Sequence, residues 1–280
     1  IERGKEFIEK LARASLRKPV VILKGGVTEA GARAAASHTG AAVGSFIAFK
    51  AAIEKGGGLI AETLEELFDY AIALSTQQIP KPPTLAIITN AGGPGILTAD
   101  VCSNLGLRLA SFSRRTIERL RSGLPNAANV YNPVDVLGDA GAERYGLALE
   151  SVLLDENVGG VIVIITPQAM TEPVEIAEVV IKMKNKFPEK PLLTTLIGGI
   201  RLEEAANLLR KSGIPVYEMP ERAVRAFKAL VDYGNAKSSL RRRRVRTYLD
   251  IKKSLVREVF KRVRKDGRLS LLEHEAKEVV

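Results

Sequence analysis

The sequence has no tryptophan, one cysteine, two histidines and three methionines in 280 residues, and each scarcity excludes something. A single cysteine, Cys102, rules out an internal disulfide framework. With only His38 and His274 beside it, no zinc cluster of the Cys/His kind can be assembled, and no metal ligand is expected from this chain. No apolar run reaches the roughly 18 residues needed to span a bilayer. Ile1-Glu2-Arg3-Gly4 lacks the apolar core of a signal peptide, so residence in the cytoplasm, away from membranes, is the expectation. What is abundant is ordinary globular material: 46% hydrophobic residues, enough to bury one large core or two moderate ones.

The formal charge of +10 suggests nucleic acid until it is located along the chain. Between Lys237 and Arg268 there are 14 Lys/Arg against Asp250, Glu258 and Asp266, a net of +11 that leaves the remaining residues at −1. A basic run of this kind can attract phosphates or anionic surfaces, but it is ordinarily a solvated face, and nucleic acid is not expected as a partner.

Apolar runs bounded by turn residues alternate with helical patterns almost throughout, the sign of βαβ units and a parallel sheet, so the fold class is α/β. Residues 20–23 read as a buried strand ending at Gly25-Gly26, a helix spans 42–55, and 59–61 form a short strand. Thr63 with Glu66 three residues on forms a capping box for the next helix. Pro80, Pro82 and Pro83 mark a boundary, so residues 1–77 and 84–235 read as separate domains joined by a linker at 78–83. The second domain has expected strands at 85–89, 108–110, 160–166, 192–197 and 216–218, with helices near 95–105, 114–122, 143–154, 172–186, 201–212 and 220–233. That is a complete doubly wound sheet. The first domain supplies only about two strands against a usual four to six, and is half a domain. A basic linker and amphipathic helix at 236–267 carries Ile251, Leu255, Val259 and Val263 every four residues.

Three segments can carry chemistry. Ser37-His38-Thr39-Gly40 lies between the Gly-flanked strand and a helix, where backbone N–H groups and the positive helix end can hold an anion. A neutral imidazole attacks phosphorus near pH 7 without first losing a proton, although a lone histidine in a loop is ordinarily a surface residue. Thr89-Asn90-Ala91-Gly92-Gly93-Pro94-Gly95 follows the first strand of the second domain and precedes a helix, a candidate phosphate cradle that matches neither a dinucleotide fingerprint nor a P-loop. Asn132-Pro133-Val134-Asp135 reads as an Asx-type turn near the same sheet edge. Cys102, on an apolar helix face, reads as an inert core thiol, and His274 as solvent-facing.

In this order, Lys24-Gly25-Gly26, Ser37-His38-Thr39-Gly40-Ala41, Thr63-Leu64-Glu65-Glu66-Leu67-Phe68, the 89–95 segment and Asn132-Pro133-Val134-Asp135 make residues 1–235 resemble the ADP-forming acetyl-CoA synthetases, relatives of succinyl-CoA synthetase. The resemblance implies flavodoxin-like domains, one partial and one complete. It also implies an acid-thiol ligase that converts acyl-CoA, ADP and phosphate to acid, CoA and ATP through a phosphohistidine at His38. Thr39, Gly40, Asn90, Gly92, Gly93 and Gly95 would bind the phosphate. CoA and ADP or ATP with Mg would be substrates of the complete enzyme, which is expected to be oligomeric. A CoA-binding domain and the acidic residue that steadies the phosphohistidine would precede Ile1, and residues 268–280 look like the opening of an ATP-grasp domain. A regulatory synthetase-like module of a protein acyltransferase, or a binding module with a basic docking tail, are the alternatives.

Overall fold

The computed structural model describes residues 3–39, 45–245 and 253–279. They fall into two compact units, Ile1–Leu240 and Arg241–Val280. The first unit opens with a helix added to the expected elements, α1 (Gly4–Arg17), followed by β1 (Val21–Leu23), α2 (Glu29–Thr39), α3 (Phe46–Lys55), β2 (Leu59–Ala61) and α4 (Leu64–Thr76). β1 and β2 pair in parallel, Val21 opposite Leu59, as a two-stranded sheet. The capping box forms with a shift. Thr63 Oγ1 accepts the Glu66 N–H at 3.0 Å, while the Glu66 carboxylate reaches back to the N–H of Glu62 at 2.9 Å.

The second sheet contains β3 (Thr84–Thr89), β4 (Arg108–Leu109), β5 (Val134–Asp135), β6 (Gly160–Ile165), β7 (Leu192–Leu196) and β8 (Val216–Tyr217), all parallel. Its order is β4-β3-β6-β7-β8, with β5 pairing β3 beyond β4. Chain order therefore reverses between β3 and β6, the switch point at which doubly wound sheets bind ligands outside the carboxyl ends of their strands. The helices are α5 (Gly92–Asn104), α6 (Arg114–Gly123), α7 (Ala142–Leu153), α8 (Pro173–Lys186), α9 (Glu203–Lys211) and α10 (Pro220–Val245).

Both faces of this sheet are covered, which is why its strands read as unbroken apolar runs. Ala86, Ile88, Val161, Val163 and Ile165 face a core completed by Leu120, Leu149, Ile176 and Leu209 from α6 to α9. Leu85, Ile87, Ile162 and Ile164 face the other core, with Cys102 of α5 and Phe227 of α10. Cys102 is fully buried there, and burial pushes its thiol up to about 12, so it is an inert core group.

β5 was not among the expected strands, since Val134-Asp135 reads as part of a turn. It exists because Asn132 fills the gap between β4 and β5. Asn132 Oδ1 accepts the Ile87 N–H at 3.0 Å, and Nδ2 donates to the carbonyls of Leu85 and Ala110 at 2.9 and 3.0 Å. One side-chain amide thus substitutes for a strand peptide, and β5 picks up the pairing at Ile88 and Thr89.

The two-stranded region is packed onto the second domain through α10. Leu59, Ala229 and Tyr233 form a small buried cluster, and Tyr233 donates to the Ser15 carbonyl at 3.0 Å. Asp69 of α4, 4% exposed, accepts both Arg222 Nε and Nη2 at 2.8 Å. α10 does not stop at residue 233 but continues to Val245, because Lys and Arg are good helix formers and nothing in the run breaks the helix.

In the second unit, α11 (Lys253–Lys265) buries Val259 and Val263 from the expected amphipathic repeat, and α12 (Glu273–Val279) follows a turn. Ile251 lies outside the described residues. Among the described residues, no helix is long and apolar enough to cross a membrane.

Candidate functional site

β3 ends at Thr89, and the next two residues turn the chain into α5. Thr89 Oγ1 accepts the Ala91 N–H at 3.0 Å and donates to the Ala91 carbonyl at 2.9 Å, closing the turn locally. Gly92 and Gly93 are the first two residues of the helix, and both are exposed. Their N–H groups belong to the first turn, which the helix cannot pair internally, and no side chain at Ala91 caps them. Pro94 follows, costing no hydrogen bond because its missing donor lies in the same unpaired turn. A Cβ on Gly93 would meet nothing within 4 Å, whereas one on Gly95 would stand 2.9 Å from Thr89 Cγ2. Gly93 leaves the helix end open to an incoming group; Gly95 lets α5 lie close against β3.

Asn90 is the buried member of the segment, 1% exposed, and its side chain faces the protein. Its Oδ1 accepts the Thr166 N–H at 2.9 Å and the Thr166 hydroxyl at 3.0 Å. Its Nδ2 donates to the Thr166 carbonyl at 2.9 Å and to Thr171 Oγ1 at 3.4 Å. These bonds tie the carboxyl ends of β3 and β6 together at the switch point. Gln168 Nε2 extends the network to Thr166 Oγ1 at 3.1 Å, and a Cβ on Gly138 would touch Gln168 Cγ at 3.5 Å. Three loops, after β3, β5 and β6, therefore converge beside the amino end of α5. Beneath them the fully buried Tyr145 donates to the Ile164 carbonyl at 2.8 Å, and burial holds its phenol well above its ordinary value.

Of the expected phosphate ligands, Asn90, Gly92, Gly93 and Gly95 are thus brought to one helix end, with Gly92 and Gly93 presenting amides and Asn90 and Gly95 shaping the turn. Thr166, Gln168 and Thr171 were not anticipated. They lie 76 to 81 residues along the chain from Asn90, and the pairing of β3 with β6 brings them near.

The histidine segment differs from its expected form. Ser37, His38 and Thr39 are the last three residues of α2 rather than part of a loop, since the alanine-rich 34–36 stretch carries the helix to its end. The side chains of His38 and Thr39 lie outside the described residues, as do Gly40 to Gly44. The following helix begins at Phe46, not Ala42, where Ser45 Oγ accepts the Ala48 N–H at 3.4 Å as its N-cap. His274, on α12, is exposed as expected. Among the described residues, no group of three or more His, Cys, Asp or Glu is placed to hold a metal ion.

Residues 1–74 match the succinyl-CoA ligase-like flavodoxin domain, and residues 85–240 match the Ligase-CoA domain. The chain belongs to the succinyl-CoA ligase-like family. Within that family it is 44% identical over 235 residues to acetate–CoA ligase [ADP-forming] II subunit alpha of Pyrococcus furiosus, covering 82% of this chain and 51% of that one. It is 41% identical over 251 residues to acetate–CoA ligase [ADP-forming] I of Archaeoglobus fulgidus, covering 90% of this chain and 35% of that protein. The solved structure of Ca. Korarchaeum cryptofilum dinucleotide forming acetyl-coenzyme A synthetase 1, in complex with phosphate and ADP, superimposes with a TM-score of 0.81. It is 34% identical, over 86% of this chain and 52% of that one. The chain thus spans about a third to a half of the length of these family members, and both family domains fall where the two sheets are found.

Proposed function

We propose that this chain is the phosphohistidine-bearing part of an ADP-forming acyl-CoA synthetase, and that His38 carries the phosphoryl group between two sites. The observation that supports it most is the open amino end of α5 at a doubly wound switch point, in a chain that also carries Ser37-His38-Thr39 at the end of α2. The reaction divides into three transfers. Phosphate attacks the thioester carbonyl, giving acyl phosphate and CoA; the His38 ring nitrogen takes the phosphoryl group, releasing the acid; ADP then takes it from His38, giving ATP and free histidine. Each transfer moves a phosphoryl or acyl group without any change of oxidation state.

Phosphoryl transfer depends on positioning and on stabilising charge on the equatorial oxygens, which unpaired backbone N–H groups supply without reorganisation. The amides of Gly92 and Gly93 fill that role at α5, with Asn90 and Gly95 holding their turn in shape. Thr39 and Gly40 contribute on the histidine side. CoA, and ADP or ATP with Mg, would be bound by a CoA-binding domain and an ATP-grasp domain or subunit, which the remaining length of the relatives can accommodate. The histidine would swing from one site to the other, and a complete enzyme of this kind would be an oligomer in the cytoplasm.

The test joins this chain to the complementary domains of a family member and measures ATP formation from acetyl-CoA, ADP and phosphate. His38→Ala is expected to lower kcat by about 10³-fold or more with little change in CoA binding. Full activity in that variant would refute the proposal.

A further inference from the structure

The phosphate assignment at α5 leaves one charged group unused. Asp135 ends β5 opposite Thr89, and its two carboxylate oxygens have different surroundings. Oδ1 accepts the Leu137 N–H at 2.9 Å, fixing the carboxylate in a turn where Leu137 takes the left-handed φ of 75°. Oδ2 accepts no hydrogen bond among the described residues. It lies 3.1 Å from the position a Cβ would occupy on Gly92, so the missing side chain lets this oxygen reach the first turn of α5. A negative charge is favoured there by the helix dipole, which keeps it in place.

We infer that Asp135 determines which oxyanion the site accepts, admitting phosphate and rejecting sulfate. This rests on the phosphate reading above. An anion seated on the Gly92 and Gly93 amides turns one of its oxygens toward Oδ2. Inorganic phosphate near neutral pH keeps at least one P–OH, which donates to the carboxylate in a charge-assisted hydrogen bond. Sulfate has no proton to offer, so two anionic oxygens would face each other with nothing between them. Size cannot separate these two tetrahedral ions, but an acceptor that must be met by a donor can, because the wrong ligand leaves it both unpaired and repelled. The same bond orients phosphate, sending its P–OH toward β5 and its ionised oxygens toward the helix end.

The measurement is calorimetric titration of the 280-residue chain at pH 7 and fixed ionic strength with inorganic phosphate and, separately, inorganic sulfate. The wild-type chain is expected to prefer phosphate by roughly tenfold or more. Asp135→Asn keeps an acceptor for the Leu137 N–H while removing the charge, and Asp135→Ser does so through a hydroxyl should the first variant fold poorly. Either is expected to bring the two affinities within about threefold, chiefly by tightening sulfate. Equal wild-type affinities, or discrimination that survives in the variants, would overturn the inference while leaving the phosphate site standing. Absence of binding by phosphate to every form would remove the α5 assignment itself, and the role of Asp135 with it.

Discussion

The Asn90 side chain uses all of its hydrogen-bonding capacity inside the protein, holding the turn that presents Gly92 and Gly93. Removing it leaves the buried N–H of Thr166 without a partner and separates the ends of β3 and β6. Asn90→Ala should therefore cost about 3 kcal/mol, measured as a lower urea midpoint with an unchanged slope. Asn90 and Gly93 were readable as parts of a Gly-rich turn between a strand and a helix. The direction of the Asn90 side chain was not readable, because its partners lie a full βαβ crossover away. The same is true of Asn132, whose sequence neighbourhood signals a turn and whose three bonds are made to two other strands.

At the scale of elements, apolar period and turn chemistry were enough to place the strands of the second domain and most of its helices, since both signals are local. What lay beyond them depended on tertiary contact. β5 is too short to carry a pattern and is a strand only because β3 has an unpaired half beside it. α10 outruns its expected end because a dense run of Lys and Arg has the composition of a linker, although both residues favour helix. The seam between α4 and α10 was also invisible in sequence: Asp69 and Arg222 are 153 residues apart, yet form a two-bond ion pair, and Glu65 adds a third carboxylate oxygen 3.1 Å from Arg222. The carboxylates around Arg222 hold its guanidinium above its ordinary value. Because Arg222 stays partly exposed and keeps Glu65, Asp69→Ala should cost about 2 kcal/mol rather than the larger penalty of a fully buried orphan charge. Hydrogen exchange should show the loss first in α4, the element that the pair secures.

The second unit offers a pH-dependent element. Glu275 of α12 accepts Arg268 Nη1 and Nη2 at 2.8 and 2.7 Å and the Leu272 N–H at 2.8 Å, and these bonds, Arg268 foremost, hold its carboxyl down to about 2. A carboxyl lowered in the folded state stabilises fully above its unfolded value and loses that contribution as pH falls toward the folded one. Amide protection in α12 should thus hold down to the ordinary carboxylate range and fade between there and about pH 2. Glu275→Gln should show weaker protection at neutral pH and a flat profile across that window.

At the scale of the whole molecule, the described residues form one six-stranded sheet and one of two strands. Among the described residues β1 pairs only with β2, and α4 exposes Leu64, Phe68 and Ile72 at four-residue spacing, an apolar stripe of the kind that packs against another element. Strand counting alone anticipates a first sheet of two strands. The six-stranded sheet places an anion-ready helix end at its switch point, and in the two-stranded region α2 carries His38 among its last three residues. The account joins them through a single phosphorylated imidazole.

The most direct measurement labels the chain with [γ-³²P]ATP in the presence of an ATP-grasp partner from the family and follows the label through acid and base. The account predicts an acid-labile, base-stable phosphoramidate on His38 that ADP removes, and no such label in His38→Ala. Label that survives acid, or that persists in the His38→Ala chain, would contradict it.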